Sequence, residues 1–306
     1  MANLAEEICI AFSRGRPMLR ATENWWPTRW EDVELDLSRM VYGSNRIDSA
    51  GNSLAITVRL CQDAFRDQVT SAGIGRTDPT FKEHWRYLRA SRRSVSLNNI
   101  CQSRCEILQH AYALSYMIDH VVLDRKPWSE ELILETHRIL QHCFDDSVEP
   151  GRYRTHKVVA ECEKPDSHPM SNPLTSPELI PGYMANMVQH LNRDTTKADA
   201  GDLDPYTLAA RYHNQFVSIR PFGDGNGRMA RILLNCLLLR HAGHISDIGV
   251  EAEDRDQYVG ITRPPVPVFA FDEQKVEVKT EAWDNQLGEL LLNKERLSPA
   301  RLHVER

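Results

Sequence analysis

The sequence lacks the features that mark membrane-spanning and secreted proteins. None of the apolar runs in its 306 residues reaches the roughly 20 residues that cross a bilayer as a helix. The first residues contain no charged segment followed by a long apolar one, so we expect no signal peptide. The seven cysteines are odd in number and scattered, without CxxC or Cys/His zinc spacing. We therefore expect reduced thiols in a cytoplasmic protein, with the nucleus as an alternative location.

The sequence also lacks the basic balance of nucleic-acid-binding proteins. Its net charge of −6 argues against a nucleic-acid partner. One local exception is the arginine-rich stretch HWRYLRASRRSVSLNNICQSR, residues 84–104, which is either a solvated helix face or a binding patch. Internal repeats and low-complexity tracts are absent. The composition is that of an ordinary globular protein without a membrane partner.

Most of the chain has helical periodicity. Ser129 and Asp204 are the predicted N-caps of two amphipathic helices. The stretch RMARILLNCLLLRH, residues 228–241, is apolar almost all round, which predicts a helix in the centre of the protein. By contrast, GRYRTHKVVAECEKPDSHPMSNP, residues 151–173, has a β-prone core between glycine and prolines and predicts a short hairpin. We expect an all-α helical bundle with a short β-hairpin flap.

The clearest chemical signal is the glycine-rich loop in NQFVSIRPFGDGNGRMARILLN, residues 214–235. A glycine-rich turn that leads into a helix presents backbone N–H groups and the positive end of the helix dipole to an anion. Arg228 and Arg231 add donors suited to phosphate oxygens. Asp224 has the wrong sign for phosphate unless it holds a cation, and Mg²⁺ is the usual one beside nucleotide phosphates. The loop is therefore either a nucleotide-phosphate and Mg²⁺ site or a structural glycine turn.

The same residues resemble a known family. The run IRPFGDGNGRMARILLN resembles the signature of Fic-domain proteins, His-Pro-Phe-x-Asp/Glu-Gly-Asn-Gly-Arg with a second arginine three residues later. Arg220 stands in place of the signature histidine. The likeness extends to ILETHRILQHCFDDSVEPGRYRTHKVV, EDRDQYVGI and YGSNRIDSAGNSL, and covers roughly residues 40–262 in a manner typical of fungal members.

The resemblance implies three regions. An N-terminal helical region, residues 1–90, carries an inhibitory-like segment at 44–52 that includes Ser44 and Asp48. A Fic core follows at residues 91–262. A proline-rich linker and a C-terminal helical tail form residues 263–306.

The resemblance also implies the ligands and the site. Most Fic proteins use ATP with Mg²⁺ and transfer AMP to a hydroxyl of a protein target. A homodimer stays an open alternative to a monomer. Carried over by position, Asp224 would hold the metal, and the target would add a strand to a flap made by Thr155, His156, Lys157 and Val158. The implied catalytic positions are Arg220, Asp224, Asn226 and Arg228, and the implied nucleotide-binding residues are Phe222, Gly225, Asn226, Gly227, Arg228, Arg231 and Tyr258.

Arg220 departs from the family at the position of the general base. Arginine has donors but no acceptor and stays protonated, so it cannot take the proton of a target hydroxyl. General-base help is typically worth about 10²–10⁴ in rate. His213 lies two helical turns away, where a core or capping role competes with a catalytic one. His156 and His168, on or near the flap, are alternative bases or exposed loop residues.

Asp48 is the second departure, because the inhibitory segment of the family has glutamate there. The shorter side chain either weakens the contact with Arg231 or requires a closer helix, and Ser44 and Asp48 could instead cap the following helix. Four functions stay open: a residual or repurposed transferase, a nucleotide-binding pseudo-enzyme, a phosphodiester hydrolase with Asp48 orienting water, and an active enzyme in which Arg220 is an engineered or strain-specific change. We favour an ATP-binding Fic-fold protein of the AMP-transferase family with impaired transfer.

Overall fold

The structure is a computed structural model that describes residues 30–66, 68, 73–141, 149–157, 175–262 and 281–297. Within these ranges the regular structure is helical, and the prediction of an all-α fold holds. A π-helical segment, Ile118–Leu123, and a 3-10 turn, Pro177–Leu179, accompany the α-helices. The α-helices are α1 Trp30–Ile47, α2 Leu54–Phe65, α3 Phe81–Ala90, α4 Leu97–Met117, α5 Glu130–Gln141, α6 Ile180–Asp199, α7 Pro205–Ile219, α8 Asn226–Ala242, α9 Ala252–Thr262 and α10 Glu281–Leu297.

The predicted β-hairpin flap is wrong, because no strand occurs in the described ranges. Residues 149–157 form turns, a bend and irregular backbone. The physical reason is that this segment bonds to a loop instead of a partner strand: the Arg154 N–H donates to the Pro221 carbonyl at 2.9 Å. Val158, His168 and the rest of the β-prone stretch lie outside the described residues.

Helix α8 lies in the centre of the protein, as its apolar sequence predicts. Its residues from Arg228 to Arg240 are all buried, and it packs against α7, which in turn packs against α10. Asn235, a polar residue of this helix, has structural partners. Its Oδ1 accepts from the Ser246 N–H at 2.7 Å, which holds the chain that leaves α8. The loop before α8 is therefore fixed to the most buried helix of the site region.

The predicted helix starts are confirmed by their hydrogen bonds. Asp204 accepts from the Thr207 N–H at 2.7 Å at the start of α7. Ser129 accepts from the Leu132 N–H at 3.1 Å just before α5. These caps fix where α7, the helix that leads into the glycine-rich loop, and α5 begin. No helix within the described ranges is both long enough and apolar enough to cross a bilayer.

The arginine-rich stretch is mainly a solvated face. Arg86, Arg89 and Arg92 are exposed on and after α3, and the Arg89 guanidinium lies over the Trp85 ring at 4.9 Å. Arg93 instead has a structural role, because it donates to the Gly51 carbonyl at 2.6 Å and pairs with a carboxylate of α4. The solvated-face alternative therefore describes most of this stretch.

Helix α1 makes an unusually close backbone contact with the chain that follows α8. A Cβ added to Gly43 would lie 2.4 Å from the Ile248 carbonyl oxygen, and one added to Gly249 would lie 2.4 Å from the Gly43 carbonyl oxygen. Gly249 also has φ of +97°, which a side chain rarely adopts. Arg46 adds hydrogen bonds to the carbonyls of Gly249 and Val250. This contact places the C-terminal end of α1 against the site described next.

Candidate functional site

The glycine-rich loop begins at Arg220, which ends α7 in a left-handed conformation with φ 47° and ψ 65°. This conformation costs a non-glycine residue roughly 1–2 kcal/mol, so contacts must hold it. The Arg220 N–H donates to the Phe216 carbonyl at 3.0 Å, and the Arg220 carbonyl accepts from Arg154 Nε at 2.8 Å. Arg154 is 5% exposed and donates to two further carbonyls, those of His156 and Thr175. Arg154 thus clamps residues 154–156 onto the start of the loop.

Asn226 closes the middle of the loop. The Phe222 N–H donates to Asn226 Oδ1 at 3.0 Å, and Asn226 Nδ2 donates to the Phe222 carbonyl at 2.8 Å. The Phe222 ring is 1% exposed and stacks on the His137 ring with centroids 3.6 Å apart and planes 2° from parallel. Both side chains that the resemblance assigns to nucleotide binding are therefore used inside the loop, where they set its shape.

His137 of α5 supports the loop through hydrogen bonds. Sequence reasoning missed this residue. Its Nδ1 accepts from the Gly151 N–H at 3.0 Å, so the proton of the neutral ring is on Nε2, which donates to the Asp224 carbonyl at 3.1 Å. Burial lowers the pKa of His137 to about 4, so the ring stays neutral. A histidine inside an amphipathic helix gives no local signal of such a role, because its partners are distant in sequence.

Two glycines pack tightly where the loop enters α8, and the first of them also has a left-handed backbone. Gly225 has φ of +75°, and a Cβ there would lie 2.3 Å from Gln141 Nε2. A Cβ on Gly227 would lie 3.1 Å from Arg231 Nη1. The amides of Asn226, Gly227 and Arg228 are the first of α8 and have no acceptor within the helix. Within the part of the chain that the structure describes, the loop and the helix terminus together therefore present N–H groups without an intrahelical acceptor next to Arg228 and Arg231.

Two arginines of α8, Arg228 and Arg231, lie against the carboxylates of Asp224 and Asp48. Arg228, 6% exposed, places Nη2 3.1 Å from Asp224 Oδ2 and Nε 3.7 Å from Asp48 Oδ2. Its Nε is buried and has no hydrogen-bond acceptor in the part of the chain that the structure describes. Arg231, 4% exposed, donates from Nη2 to Asp48 Oδ2 at 2.7 Å. Burial disfavours the charged form of Arg231, but Asp48 and Tyr258 outweigh it and raise the pKa of Arg231.

Ser44 and Asp48 act on Arg231 and not on the next helix. Arg231 Nε donates to Ser44 Oγ at 2.7 Å and Nη2 donates to the Ser44 carbonyl at 3.0 Å. Ser44 lies inside α1, and the N-cap of α2 is Ser53, so the capping alternative is wrong. The aspartate reaches Arg231 in spite of its length because the glycine contact of α1 brings the helix close.

Tyr258 and His213 form a buried pair behind Arg231. Tyr258 is 2% exposed, and its hydroxyl lies 2.8 Å from His213 Nε2 and accepts from Arg231 Nη1 at 3.2 Å. Burial is the main cause that raises the pKa of Tyr258. His213 is fully buried, and its Nδ1 lies 3.0 Å from Asn214 Oδ1. His213 is thus a core histidine, which is one of the two roles that the sequence left open for it. Tyr258 contacts the Arg231 guanidinium and does not face an open cleft.

Two side chains at the outer edge of the loop have free polar groups. Arg220 is half-buried, which lowers the pKa of its guanidinium, and among the described residues that guanidinium has no hydrogen-bond or ion-pair partner. His156 is exposed, as are Thr155 and Lys157 beside it. The His156 Cε1 lies 3.8 Å from the point where a Cβ on Gly223 would stand. The structure therefore brings His156 to the loop.

Comparisons with known proteins identify the region around this loop. The Fic/DOC family model matches residues 127–238. Protein adenylyltransferase fic-1 of Caenorhabditis briggsae is 38% identical over 109 residues, which are 35% of this chain and 18% of that protein. Protein adenylyltransferase Fic of Drosophila persimilis is 32% identical over 154 residues, which are 50% of this chain and 27% of that protein. A Fido domain-containing protein of Dictyostelium discoideum is 44% identical over 86 residues, 28% of this chain and 55% of that protein.

Solved structures extend the likeness of the fold to most of the chain. A Fic domain-containing signaling protein from Bacteroides thetaiotaomicron superposes with a TM-score of 0.58 at 21% identity, covering 97% of this chain and 95% of that one. Fic-1 from C. elegans superposes with a TM-score of 0.52 at 19% identity, covering 97% and 73% of the two chains. At these identities the likeness shows the fold alone. The chain spans less than a third of the length of the adenylyltransferases that it matches in sequence.

Proposed function

From a chain whose residues 127–238 form a Fic/DOC domain, we propose that this protein binds ATP with Mg²⁺ and belongs functionally to the protein adenylyltransferases. In this proposal it transfers AMP to a protein hydroxyl at a rate strongly reduced by Arg220. The observation that carries the proposal is the arrangement of the first amides of α8, two buried arginines and one exposed carboxylate around a loop in which Gly225 has a left-handed φ of +75°.

The residues present fit a magnesium-bound nucleotide. The amides of Asn226, Gly227 and Arg228, with the orphaned Nε of Arg228, supply donors for phosphate oxygens. Asp224 would hold the metal, since its side chain is 62% exposed at the edge of the loop. No cluster of three or more His, Cys, Asp or Glu occurs in the described ranges, which agrees with an Mg²⁺ ion held by one carboxylate and by phosphate oxygens. When bound, Mg²⁺ would neutralise phosphate charge.

Asp48 supports a restrained site within this proposal. Its carboxylate pairs with Arg231 at 2.7 Å and lies 3.7 Å from Arg228 Nε, so it competes with an incoming phosphate for both guanidinium groups. Ser44 fixes the Arg231 guanidinium in this position. We assign Ser44 and Asp48 an inhibitory role on this basis.

Arg220 decides how fast the chemistry runs. At the position of the family's histidine it has no lone pair to accept the hydroxyl proton, although its cation can bind phosphate. The missing base lowers the rate of transfer by about 10²–10⁴. The Arg220 guanidinium, which has no partner among the residues that the structure describes, also favours a second candidate, a nucleotide-binding interaction module without turnover. The exposed residues Thr155, His156 and Lys157 line the edge at which a target protein would approach.

One pair of measurements tests the proposal. Calorimetric titration with ATP and Mg²⁺ is combined with a labelled-ATP transfer assay on the native chain, Arg220→His and Arg92→His. Arg92 is a matched control because it is also an arginine with positive φ, in the exposed turn after α3. We expect ATP binding by all three proteins and a large gain of transfer in Arg220→His alone. Absence of ATP binding overturns the proposal, and equal transfer by native and Arg220→His overturns the role of Arg220.

A further inference from the structure

We propose that His156 accepts the proton of the target hydroxyl in place of the missing histidine, so that the remaining AMP transfer depends on His156. This inference rests on the proposed function. It adds a catalytic residue that lies outside the signature loop, in the segment after α5.

The position of His156 is set by the clamp of Arg154. The Arg154 guanidinium donates to the His156 carbonyl at 2.9 Å and to the Arg220 carbonyl at 2.8 Å, and the Arg154 N–H donates to the Pro221 carbonyl at 2.9 Å. One buried side chain therefore joins the backbone of His156 to the residue that occupies the histidine position. His156 cannot leave the loop without breaking these bonds.

The edge of the His156 ring that lies between its two nitrogens faces the loop. The ring atom nearest to the Gly223 position is Cε1, the carbon between the two ring nitrogens, at 3.8 Å from where a Cβ would stand. Gly223 is exposed and is followed by Asp224, the residue that would hold the metal. An exposed neutral imidazole has one nitrogen free to accept a proton. A Cβ at Gly223 would be in ordinary van der Waals contact with the ring, so the ring lies directly beside this loop residue.

The other histidines that the structure describes near the site have partners elsewhere. His137 uses Nδ1 for the Gly151 N–H and Nε2 for the Asp224 carbonyl. His213 is enclosed between Tyr258 and Asn214, and His110 is fully buried with Nδ1 2.9 Å from the Asn45 side chain. Among the described residues at this loop, His156 is the histidine that a target hydroxyl can reach.

The carboxylates of the site are equally unsuited to accept this proton. Asp48 is paired with Arg231, and Asp224 accepts from Arg228 and Gln141 and would hold the metal. The neighbouring Lys157 carries an ammonium group, a type of side chain that donates hydrogen bonds and does not accept them. Elimination and position thus both indicate His156.

The step is a nucleotidyl transfer in which atoms and charge balance. The target hydroxyl oxygen forms a bond to the α-phosphorus of ATP, and the bond from that phosphorus to the bridging oxygen breaks. Pyrophosphate leaves with that electron pair. The hydroxyl proton passes to a ring nitrogen of His156 and then to solvent, which returns the ring to its neutral form. Arg220 stays a cation throughout and contributes charge without exchanging a proton.

The test compares His156→Ala with His190→Ala in the AMP-transfer assay. His190 is a half-exposed histidine of α6 and has no part in the loop. We expect His156→Ala to lower the native rate by about 10²-fold, in line with a lost general base, and His190→Ala to leave it unchanged. Added imidazole should restore part of the rate to His156→Ala, which a purely structural role of His156 would not allow. ATP affinity should stay within twofold of native, roughly a 0.4 kcal/mol change.

A double variant separates the two proposals. Arg220→His with His156→Ala should transfer AMP about as well as Arg220→His alone, because the restored histidine makes His156 dispensable. If the double variant is as slow as His156→Ala, or if imidazole rescues nothing, His156 is structural and the inference is overturned. If the native chain shows no transfer while Arg220→His does, the inference fails and the proposed function stands. Absence of ATP binding in every variant overturns the proposed function itself.

A readout without turnover tests the location. In NMR spectra, the ring resonances of His156 are assigned by their loss in His156→Ala. We expect them to shift when α,β-methylene-ATP and Mg²⁺ are added, because the ring lies at the edge of the loop, whereas the His190 resonances should not. A shift of neither histidine, with binding confirmed by calorimetry, contradicts the placement of His156 beside the nucleotide.

Discussion

Replacing Asp48 by asparagine is expected to raise the affinity for ATP and Mg²⁺ about tenfold. In the native chain the Asp48 carboxylate lies 2.7 Å from Arg231 and 3.7 Å from Arg228, the two arginines of the proposed phosphate site. Asparagine keeps the size and can still accept one hydrogen bond, but it removes the negative charge. The phosphates then compete with a neutral amide instead of a carboxylate.

The magnitude follows from the burial of the pair. A hydrogen bond to a charged group contributes about 1.5–3 kcal/mol. Arg231 is buried, but the Asp48 side chain is 34% exposed, so solvent screens the pair and the lower end applies. A loss of about 1.4 kcal/mol in the competing interaction corresponds to a tenfold gain in affinity. Because Ser44 and Tyr258 still bind the Arg231 side chain, the free energy of unfolding should fall by only about 1 kcal/mol.

Calorimetric titration at fixed ionic strength measures this change, with Asp32→Asn as the control. Asp32 is an exposed aspartate in the first turn of α1, so its replacement makes the same charge change on the same helix, far from Arg231 in sequence. We expect its affinity to stay near that of the native chain. Equal gains in both variants would mean that only the net charge matters, and no gain in Asp48→Asn would refute the competition between this carboxylate and phosphate.

Three further predictions follow from the geometry. Gly225→Ala should lower the free energy of unfolding, measured in urea, by about 2 kcal/mol or more, because of left-handed strain and a steric clash. The control Gly182→Ala, at an open helical site, should raise it by about 0.5–1 kcal/mol. Equal effects of the two substitutions would contradict the predicted clash. Removing Mg²⁺ with a chelator should weaken ATP binding by tenfold or more, on the order of 1.4 kcal/mol, and Asp224→Asn should reduce this dependence, because the carboxylate repels phosphate without the metal. Folding lowers the pKa values of His137 and His213 from 6.5 to about 4, so their stabilising contribution is complete above pH 6.5 and is lost as pH falls towards 4. A free energy of unfolding that does not change between about pH 7 and about pH 4.5 would contradict this linkage.

Local patterns predicted the parts of the fold whose causes are local. The N-cap at Asp204, the buried α8 and the glycine turn before it depend on residues a few positions apart, so they can be predicted from a short window. The prediction of a hairpin was wrong because the structure of this segment depends on a contact that is distant in sequence. Its β-prone residues favour a strand locally, but the backbone near Arg154 bonds to the Pro221 carbonyl, a partner that lies far along the chain.

The candidate site divides in the same way. The proximity of the signature residues from Arg220 to Arg231 could be predicted because they lie in one stretch of sequence. His137 and Arg154 could not be predicted, because they act through contacts with partners 87 and 66 residues away. The reach of Asp48 could not be predicted from side-chain length, because it depends on a backbone approach between α1 and the chain after α8. No pattern within α1 alone contains that information.

The glycine contact between Gly43 and Gly249 limits how space for a terminal phosphate can open. Backbone atoms of the two segments meet there with no side chain between them. Helix α1 therefore has no layer of side chains that could rearrange and let it shift. We therefore expect the room to come from a rotamer change of Asp48, whose side chain is 34% exposed, because such changes take only picoseconds to nanoseconds. We expect a bound nucleotide to displace the Asp48 side chain while α1 keeps its place against the chain that follows α8.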